Sequence, residues 1–356
     1  MPRLHELLHT LKDRRGSDLH LAAGLAPRLR VHGSLEPVES WPVLSHEELC
    51  DLLREVAEDA PWEEYERTGD LDFAYGIEGL ARFRVNYLRH ENGAGAVFRL
   101  IPDEIVPLAQ LELPKAVEAL AELQQGLVLV SGPTGCGKST TLASIVDRIN
   151  STYAKHIVTI EDPVEFVHKN KKSIFSQREV GTDTESFAAA LRAAIRQDAD
   201  VILVGEMRDL ETISLALTAA EMGALVFGTL HTNGAANTID RLIDAFPADE
   251  QAQIRTTLAE SIAGIVSQLL LRTADGKGRC AVAEILLKTS GLPNVIREGN
   301  TPMIQTIIQG GKSQGMQLMD DALMELVDKK RITAREAYLK AANKTRFESL
   351  VKDDES

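Results

Sequence analysis

Apolar residues along this chain recur with two different periods, and the period switches several times. Leu4, Leu7, Leu8 and Leu11 stand at helical spacing, which predicts an amphipathic helix over residues 3–13. Gly16-Ser17-Asp18-Leu19-His20-Leu21 reads as a turn opening into a strand. Leu29 and Val31 alternate with Arg28, Arg30 and His32 in a second strand, which Gly33-Ser34 closes with a turn. Ser45, followed by Glu47 and Glu48, predicts an N-capped helix running to Asp59. Residues 71–101 read as a β-meander. Phe73 and Tyr75 alternate with polar positions; Phe83, Val85 and Tyr87 then take one face and Arg82, Arg84 and Asn86 the other. Asn92-Gly93 predicts the tight turn before a strand over 96–101. These elements make a small α+β domain over residues 1–101. Pro102, Pro107 and Pro114 predict a semi-rigid connector over 102–114.

The second domain is expected over residues 115–356, where strands and helices alternate. Apolar runs at 126–131, 156–160, 201–204 and 224–230 read as buried strands. Helices are predicted from Thr140, over 187–197 and over 210–222, the last closed by Gly223. This alternation predicts an α/β fold with a parallel sheet. Beyond it, helices are expected over 235–245, 248–271, 302–309, 317–328 and 333–343, with one strand over 279–287. Asp353 to Ser356 reads as a frayed acidic tail.

Composition narrows the function. The 356 residues suit two domains, and 44% hydrophobic with 26% charged residues is an ordinary globular balance. A net charge of −14 lacks the basic footprint that nucleic-acid binding needs, so no nucleic-acid partner is expected. Lys169-Asn170-Lys171-Lys172 is the one dense basic run and reads as a solvated loop. Cys50, Cys136 and Cys280 are too far apart for a cysteine zinc pair and suit a reducing compartment. No apolar run reaches about 18 residues and the N-terminus has no signal-peptide core, so a cytoplasmic protein without a transmembrane segment is expected. Docking on a membrane complex from the cytoplasmic side stays open.

The candidate chemistry begins at Gly132-Pro133-Thr134-Gly135-Cys136-Gly137-Lys138-Ser139-Thr140, which fits G-x-x-x-x-G-K-[ST] without mismatch. The loop lies between a predicted strand and a predicted helix, as a phosphate cradle requires. Glycines let backbone N–H groups turn inward, and the helix N-terminus adds partial positive charge. Lys138 can reach the β- and γ-phosphates of ATP, Ser139 can ligate Mg²⁺, and Thr140 stands near the α-phosphate. Cys136 is read as a small filler. Polar residues also collect at the C-terminal ends of successive strands, where open α/β sheets bind ligands. Glu206 follows four apolar residues, so its carboxylate can hold Mg²⁺ or activate water. Glu161, Asp162 and Glu165 end the neighbouring strand and supply further carboxylates, Asp162 as a metal ligand. His231 ends another strand and can sense the γ-phosphate. His20, alone in its strand, is read as structural.

These residues carry a family resemblance that runs from about residue 4 to 345. The sequence resembles the secretion-type ATPases that power type IV pili and type II secretion, in their pilus-retraction branch. Gly16-Ser17-Asp18-Leu19-His20-Leu21 is similar to the family's N-terminal signature, and Glu161-Asp162-Pro163-Val164-Glu165 to its Asp box. Val204-Gly205-Glu206-Met207-Arg208-Asp209 is similar to its Walker B segment, and Gly228-Thr229-Leu230-His231-Thr232-Asn233 to its His box. Thr238 to Pro247 has the retraction-type form. The family's C-terminal retraction signature reads A-I-R-N-L-I-R-E. Asn294, Ile296, Arg297 and Glu298 match it, and Pro293 stands where the family has arginine. The resemblance implies a PAS-like N-terminal domain, a RecA-like ATPase domain and a homohexamer. It also implies ATP hydrolysis that removes pilin subunits, on an inner-membrane pilus platform protein. Assembly ATPases of the superfamily carry a tetracysteine zinc site and a longer N-terminal extension; this sequence has neither.

Three other readings compete. One is a pilus assembly ATPase or an accessory retraction paralogue. The second is a RecA-like nucleic-acid translocase, opposed by the acidic charge and the lack of basic-aromatic stretches. The third is a nucleotide-gated scaffold, opposed by Lys138, Glu206 and the Asp-box carboxylates. Arg84 and Arg99 are further catalytic candidates. Arg82 and Arg84 share a strand face, and the Asn92-Gly93 turn can bring Arg99 alongside. Three guanidinium groups so placed need an anion. Asp70, Asp72 or Glu91 can supply it locally, or a triphosphate can.

Overall fold

The computed structural model describes residues 2–31, 34–101 and 105–354. The chain forms two compact units, divided between residues 104 and 105, with residues 165–167 belonging to the first.

The first unit contains α1 (Arg3–Asp13), β1 (Asp18–Ala22), β2 (Arg28–Val31), β3 (Ser34–Pro37), α2 (His46–Arg54), α3 (Asp59–Thr68), β4 (Asp70–Ile77), β5 (Ala81–His90) and β6 (Gly93–Ile101). Its six strands form an antiparallel sheet in the order β3-β2-β1-β6-β5-β4. The leucine stripe of α1 joins Phe83, Val85, Tyr87 and Phe98 in one core. Ser45 caps α2 with a complete capping box: the Glu48 N–H donates to its Oγ (3.2 Å), and its own N–H donates to Glu48 Oε2 (2.8 Å). The helix expected to run to Asp59 ends at Arg54, and α3 follows as a separate element. Pro61 has no N–H to donate, so it suits the first turn of a new helix and not the interior of a longer one. β3 was not predicted; all four of its residues are exposed, so it carries no alternation signal. Of the predicted turn Gly33-Ser34, Ser34 instead starts β3, while Gly33 and the expected strand residue His32 lie outside the described residues.

One row of this sheet is dense in charge. Arg84 on β5 pairs in register with Arg99 on β6, Arg99 with Asp18 on β1, and Asp18 with Arg30 on β2. Asp18 is buried and accepts from Arg99 Nε (2.8 Å) and Ser17 Oγ (2.7 Å), with Arg30 Nε at 3.9 Å. The acid that Arg99 meets is therefore Asp18, 81 residues away in sequence, and not Asp70, Asp72 or Glu91. Burial pushes the Asp18 carboxyl up. The Ser17 hydroxyl and the Arg99 guanidinium outweigh it and hold the group below its ordinary value.

The second unit contains α4 (Lys115–Ala119), β7 (Gly126–Ser131), α5 (Lys138–Thr152), β8 (His156–Glu161), β9 (Ile174–Glu179), α6 (Phe187–Arg196), β10 (Val201–Val204), α7 (Leu210–Glu221), β11 (Leu225–Leu230), α8 (Ala235–Ile243), α9 (Gln251–Ser261), β12 (Ile262–Arg272), β13 (Arg279–Leu287), α10 (Leu292–Arg297), α11 (Ile304–Gly310), α12 (Met319–Asp328), α13 (Ala334–Lys340) and α14 (Glu348–Asp354). Seven strands form a sheet in the order β13-β12-β7-β11-β10-β8-β9. All neighbours are parallel except β12 and β13. β7, which leads into the phosphate loop, lies between β11 and β12, and all of its residues are buried.

Several expectations change here. The helix expected over 248–271 is α9 followed by β12. β12 lies between two strands and is buried on both faces, so its apolar run lacks the period-two signature and is easily mistaken for a buried helix. The connector expected over 102–114 is not a spacer from residue 105 onward, because Leu108 and Leu113 are buried in the core of the second unit; residues 102–104 lie outside the described residues. β9 and α10 were not predicted. Pro293 occupies the first turn of α10, where a missing N–H costs no helical bond. The tail expected to fray from Asp353 continues helix α14 to Asp354, and the last two residues lie outside the described ones.

Asp18→Asn is expected to weaken the first unit by about 1.5–3 kcal/mol, the range for hydrogen bonds to a charged group. Both tryptophans, Trp41 and Trp62, lie in this unit, so intrinsic fluorescence during urea unfolding of the full chain reads it selectively. The depressed carboxyl contributes stability fully above its unfolded value of about 3.9, and that contribution fades as pH falls through the lower folded value. Parent and variant should therefore differ at pH 7 and converge in acid.

Candidate active site

The phosphate loop is shaped by the strand beside it. Gly132 leaves β7 with φ of +143°, and a Cβ built there would lie 2.2 Å from the Gln268 carbonyl oxygen on β12, so no side chain fits. Gly137, at φ +90°, immediately precedes the first residue of α5. Pro133, Thr134 and Gly135 are exposed, Cys136 is buried, and Ser139 and Thr140 are half-buried in the first helical turn. Burial pushes the Cys136 thiol up against the pull of Lys138, which suits a filler and not a nucleophile. Lys138 is itself buried. Its Nζ donates to the carbonyls of Gly132 (2.8 Å) and Pro133 (3.2 Å), so the ammonium is folded across its own loop. A phosphate oxygen offers this cation a stronger, charge-assisted bond than either neutral carbonyl.

The strand ends supply the rest. β8, β10 and β11 run parallel, with Ile160 and Gly228 both opposite Val204, so their C-terminal ends align. Glu206 stands just beyond β10. Arg208 grips it with both ends of its guanidinium fork, Nε to Oε1 at 2.5 Å and Nη2 to Oε2 at 2.6 Å. His231, just beyond β11, brings Nε2 to 3.2 Å from Oε1 of the same carboxylate. Burial pushes the Glu206 carboxyl up, but the Arg208 hydrogen bonds and the His231 and Arg208 charges overcome this and hold it below its ordinary value. Asp162 is exposed and adds to the negative field around Arg208. Glu161, at the end of β8, accepts from Gln177 Nε2 on β9 at 3.2 Å. Glu165 is exposed and belongs to the first unit.

The structure thus brings Glu206 and His231 into direct contact, with Asp162 close enough to act on their arginine. Arg84 and Arg99 meet on one row of the first unit. Arg208 was overlooked as a site residue, although its place two residues after Glu206 was the available signal. Among the described residues no group of three His, Cys, Asp or Glu side chains could hold a metal by itself. Mg²⁺ usually keeps several waters and takes one or two protein oxygens beside a nucleotide's phosphates, so a hydroxyl and a carboxylate fit it.

A buried strand, a glycine loop, a lysine at the helix start and a carboxylate at a nearby strand end define a RecA-like P-loop ATPase. The chain belongs to the type II/IV secretion system protein family, whose model matches residues 3–349. It is 48% identical over 336 residues to the type IV pilus retraction ATPase PilT of Pseudomonas aeruginosa, covering 94% of this chain and 97% of that one. It is also 48% identical over 317 residues to a twitching motility protein of Neisseria gonorrhoeae, covering 89% and 84%. Among solved structures, the pilus retraction motor PilT with bound ADP superposes with a TM-score of 0.90 at 42% identity, covering 96% of this chain and 99% of that one.

Glu206→Gln keeps the shape of the side chain and removes its charge. ATP should bind within a few-fold of the parent, while turnover falls at least about a hundredfold, the scale of a lost general base. Filter binding beside a phosphate-release assay separates the two; equal losses in both would make Glu206 a structural residue.

Proposed function

We propose that this chain hydrolyses ATP to drive the retraction of type IV pili. The reading is carried by one observation: the likeness to retraction motors runs nearly the length of both chains. Lys138 folded across the phosphate loop and the Glu206–His231 contact support it. In this reading the loop from Gly132 to Thr140 binds the phosphates with its backbone N–H groups, and Lys138 leaves its loop carbonyls for the β- and γ-phosphate oxygens. Glu206 polarises the attacking water once Arg208 releases it, and His231 orients that carboxylate. Mg²⁺, arriving with the nucleotide, would be held by Ser139 with Glu206 or Asp162 and would neutralise phosphate charge. Glu161 and Glu165 are further acidic catalytic residues in this reading.

In this reading the first unit is a PAS-like domain, and Arg84 and Arg99 are further catalytic residues. Arg84 and Arg99 stand in register on β5 and β6, with the Arg99 guanidinium also holding Asp18. Six copies closing into a ring, docked on the cytoplasmic side of an inner-membrane platform protein, would turn hydrolysis into pilin removal. No described helix is long and apolar enough to cross a membrane. An accessory retraction role is the nearest alternative.

Lys138→Ala should abolish both nucleotide binding and turnover. In a strain lacking the gene, the parent chain should restore twitching and Lys138→Ala should leave pili present but unretracted. Twitching restored by the variant would remove this site from the motor. Sizing the parent with an ATP analogue should give an assembly of ring size; a monomer under every nucleotide condition would contradict the ring. Arg84→Ala should lower turnover at least about tenfold with binding intact, the low end for an arginine at the transferring phosphate. Turnover at the parent rate would make the arginine row structural.

A further inference from the structure

Gln268 is a buried amide beside Ser267 in β12, and both ends of its side chain are used, one on the phosphate loop and one on the first turns of α5. Its Nε2 donates to the Cys136 carbonyl at 2.7 Å, and its Oε1 accepts from the Thr141 hydroxyl at 2.8 Å. The Thr141 N–H in turn donates to the Gly137 carbonyl (3.0 Å), the first bond of α5. The same residue lies against both ends of the loop. A Cβ at Gly132 would strike its backbone oxygen, and one at Gly137 would lie 3.0 Å from its Nε2.

We propose that Gln268 is a positioning residue that fixes the loop in its phosphate-binding form before the nucleotide arrives. This rests on the reading of residues 132–140 as the nucleotide site. In a trans peptide the C=O and N–H point in opposite directions. Holding the Cys136 carbonyl toward β12 therefore turns the Gly137 N–H the other way, into the loop. A cradle of inward N–H groups leaves outward carbonyls that need donors, and Gln268 supplies one of them in a place closed to water. The second bond ties the loop to the start of α5, whose N-terminal N–H groups attract the same phosphates. Asparagine is too short to make both bonds. Leucine fills the space and makes neither.

Because the cradle grips bound phosphates in ground and transition states alike, its loss acts on binding. Gln268→Leu is expected to raise KM for ATP and Kd for ADP about tenfold, the effect of a buried carbonyl left without its donor. kcat should stay within about threefold. Gln268→Glu adds a readout that packing alone would not give. At pH 8 its carboxylate faces the Cys136 carbonyl with no proton to donate and lies beside the phosphates. Burial raises the acid's pKa, so on lowering the pH the protonated side chain regains the amide's donor. ADP affinity of this variant, titrated by calorimetry on the full chain, should recover toward the parent's between pH 8 and pH 6. A parent-like affinity at both pH values, or a loss that does not change with pH, overturns the proposal. So does a fall in kcat with KM unchanged. If Gln268→Leu does not fold, the glutamate variant decides alone. Lys138→Ala in the same titration distinguishes the two failures. If it binds ADP normally, the site assignment is wrong; if it does not bind while both Gln268 variants match the parent, only the role of Gln268 is wrong.

Discussion

The close passage of β12 beneath the phosphate loop governs the second unit. At Gly132 the loop backbone lies so near the Gln268 carbonyl that a single methyl group would collide with it. This contact sets the direction in which the chain leaves β7. It therefore decides where the carbonyls and N–H groups of the following residues point, and where α5 begins. The strand doing this is pinned on both sides, parallel to β7 and antiparallel to β13. A cradle resting on a doubly paired strand is preorganised, so binding a nucleotide need not order it at the same time.

The same strands link the loop to its neighbours through buried polar side chains. Thr238 on α8 donates to Ser131 at the end of β7 (3.0 Å) and shares a hydrogen bond with Thr232 (2.8 Å), next to His231. Ser267, beside Gln268, accepts from the Gly234 N–H at 2.7 Å. Its cross-strand partner Glu284 accepts from the N–H groups starting two helices, Ala235 of α8 at 2.8 Å and Met319 of α12 at 3.3 Å. These bonds tie the end of β7 and the strands β12 and β13 to the segment around His231 and to the first turns of α8 and α12. On the far side of the sheet centre, Glu206 is held by Arg208 and His231 and stays ionised. The carboxylate, its cation and the folded-in Lys138 are all charges already satisfied locally; in the proposed function each exchanges partners when nucleotide arrives.

What could be read from sequence followed from how local each signal is. The strand and helix around Gly132–Thr140, the Ser45 N-cap and the meander with its Asn92-Gly93 turn are written in a few consecutive residues, and each formed where expected. Glu206 and His231 stood out as candidates because each lies within two residues of the end of a buried strand. The signals that failed were those that need a neighbour. β12 is apolar on both faces because strands flank it, so it was read as part of a helix, and Gln268 was hidden inside that error. Edge strands β3 and β9 have mixed or exposed faces and no clear period. The acid opposite Arg99 comes from a strand 81 residues earlier, beyond the reach of any local pattern. Arg208 was in plain view, but nothing in spacing alone says that it closes on Glu206.

Amide hydrogen exchange on the full chain, with and without saturating ADP, tests the account most directly. It predicts that protection concentrates in residues 126–141, with smaller changes at 204–208 and 229–234, where the strand ends meet the loop. Protection absent from 126–141, or centred on another part of the second unit, would contradict it.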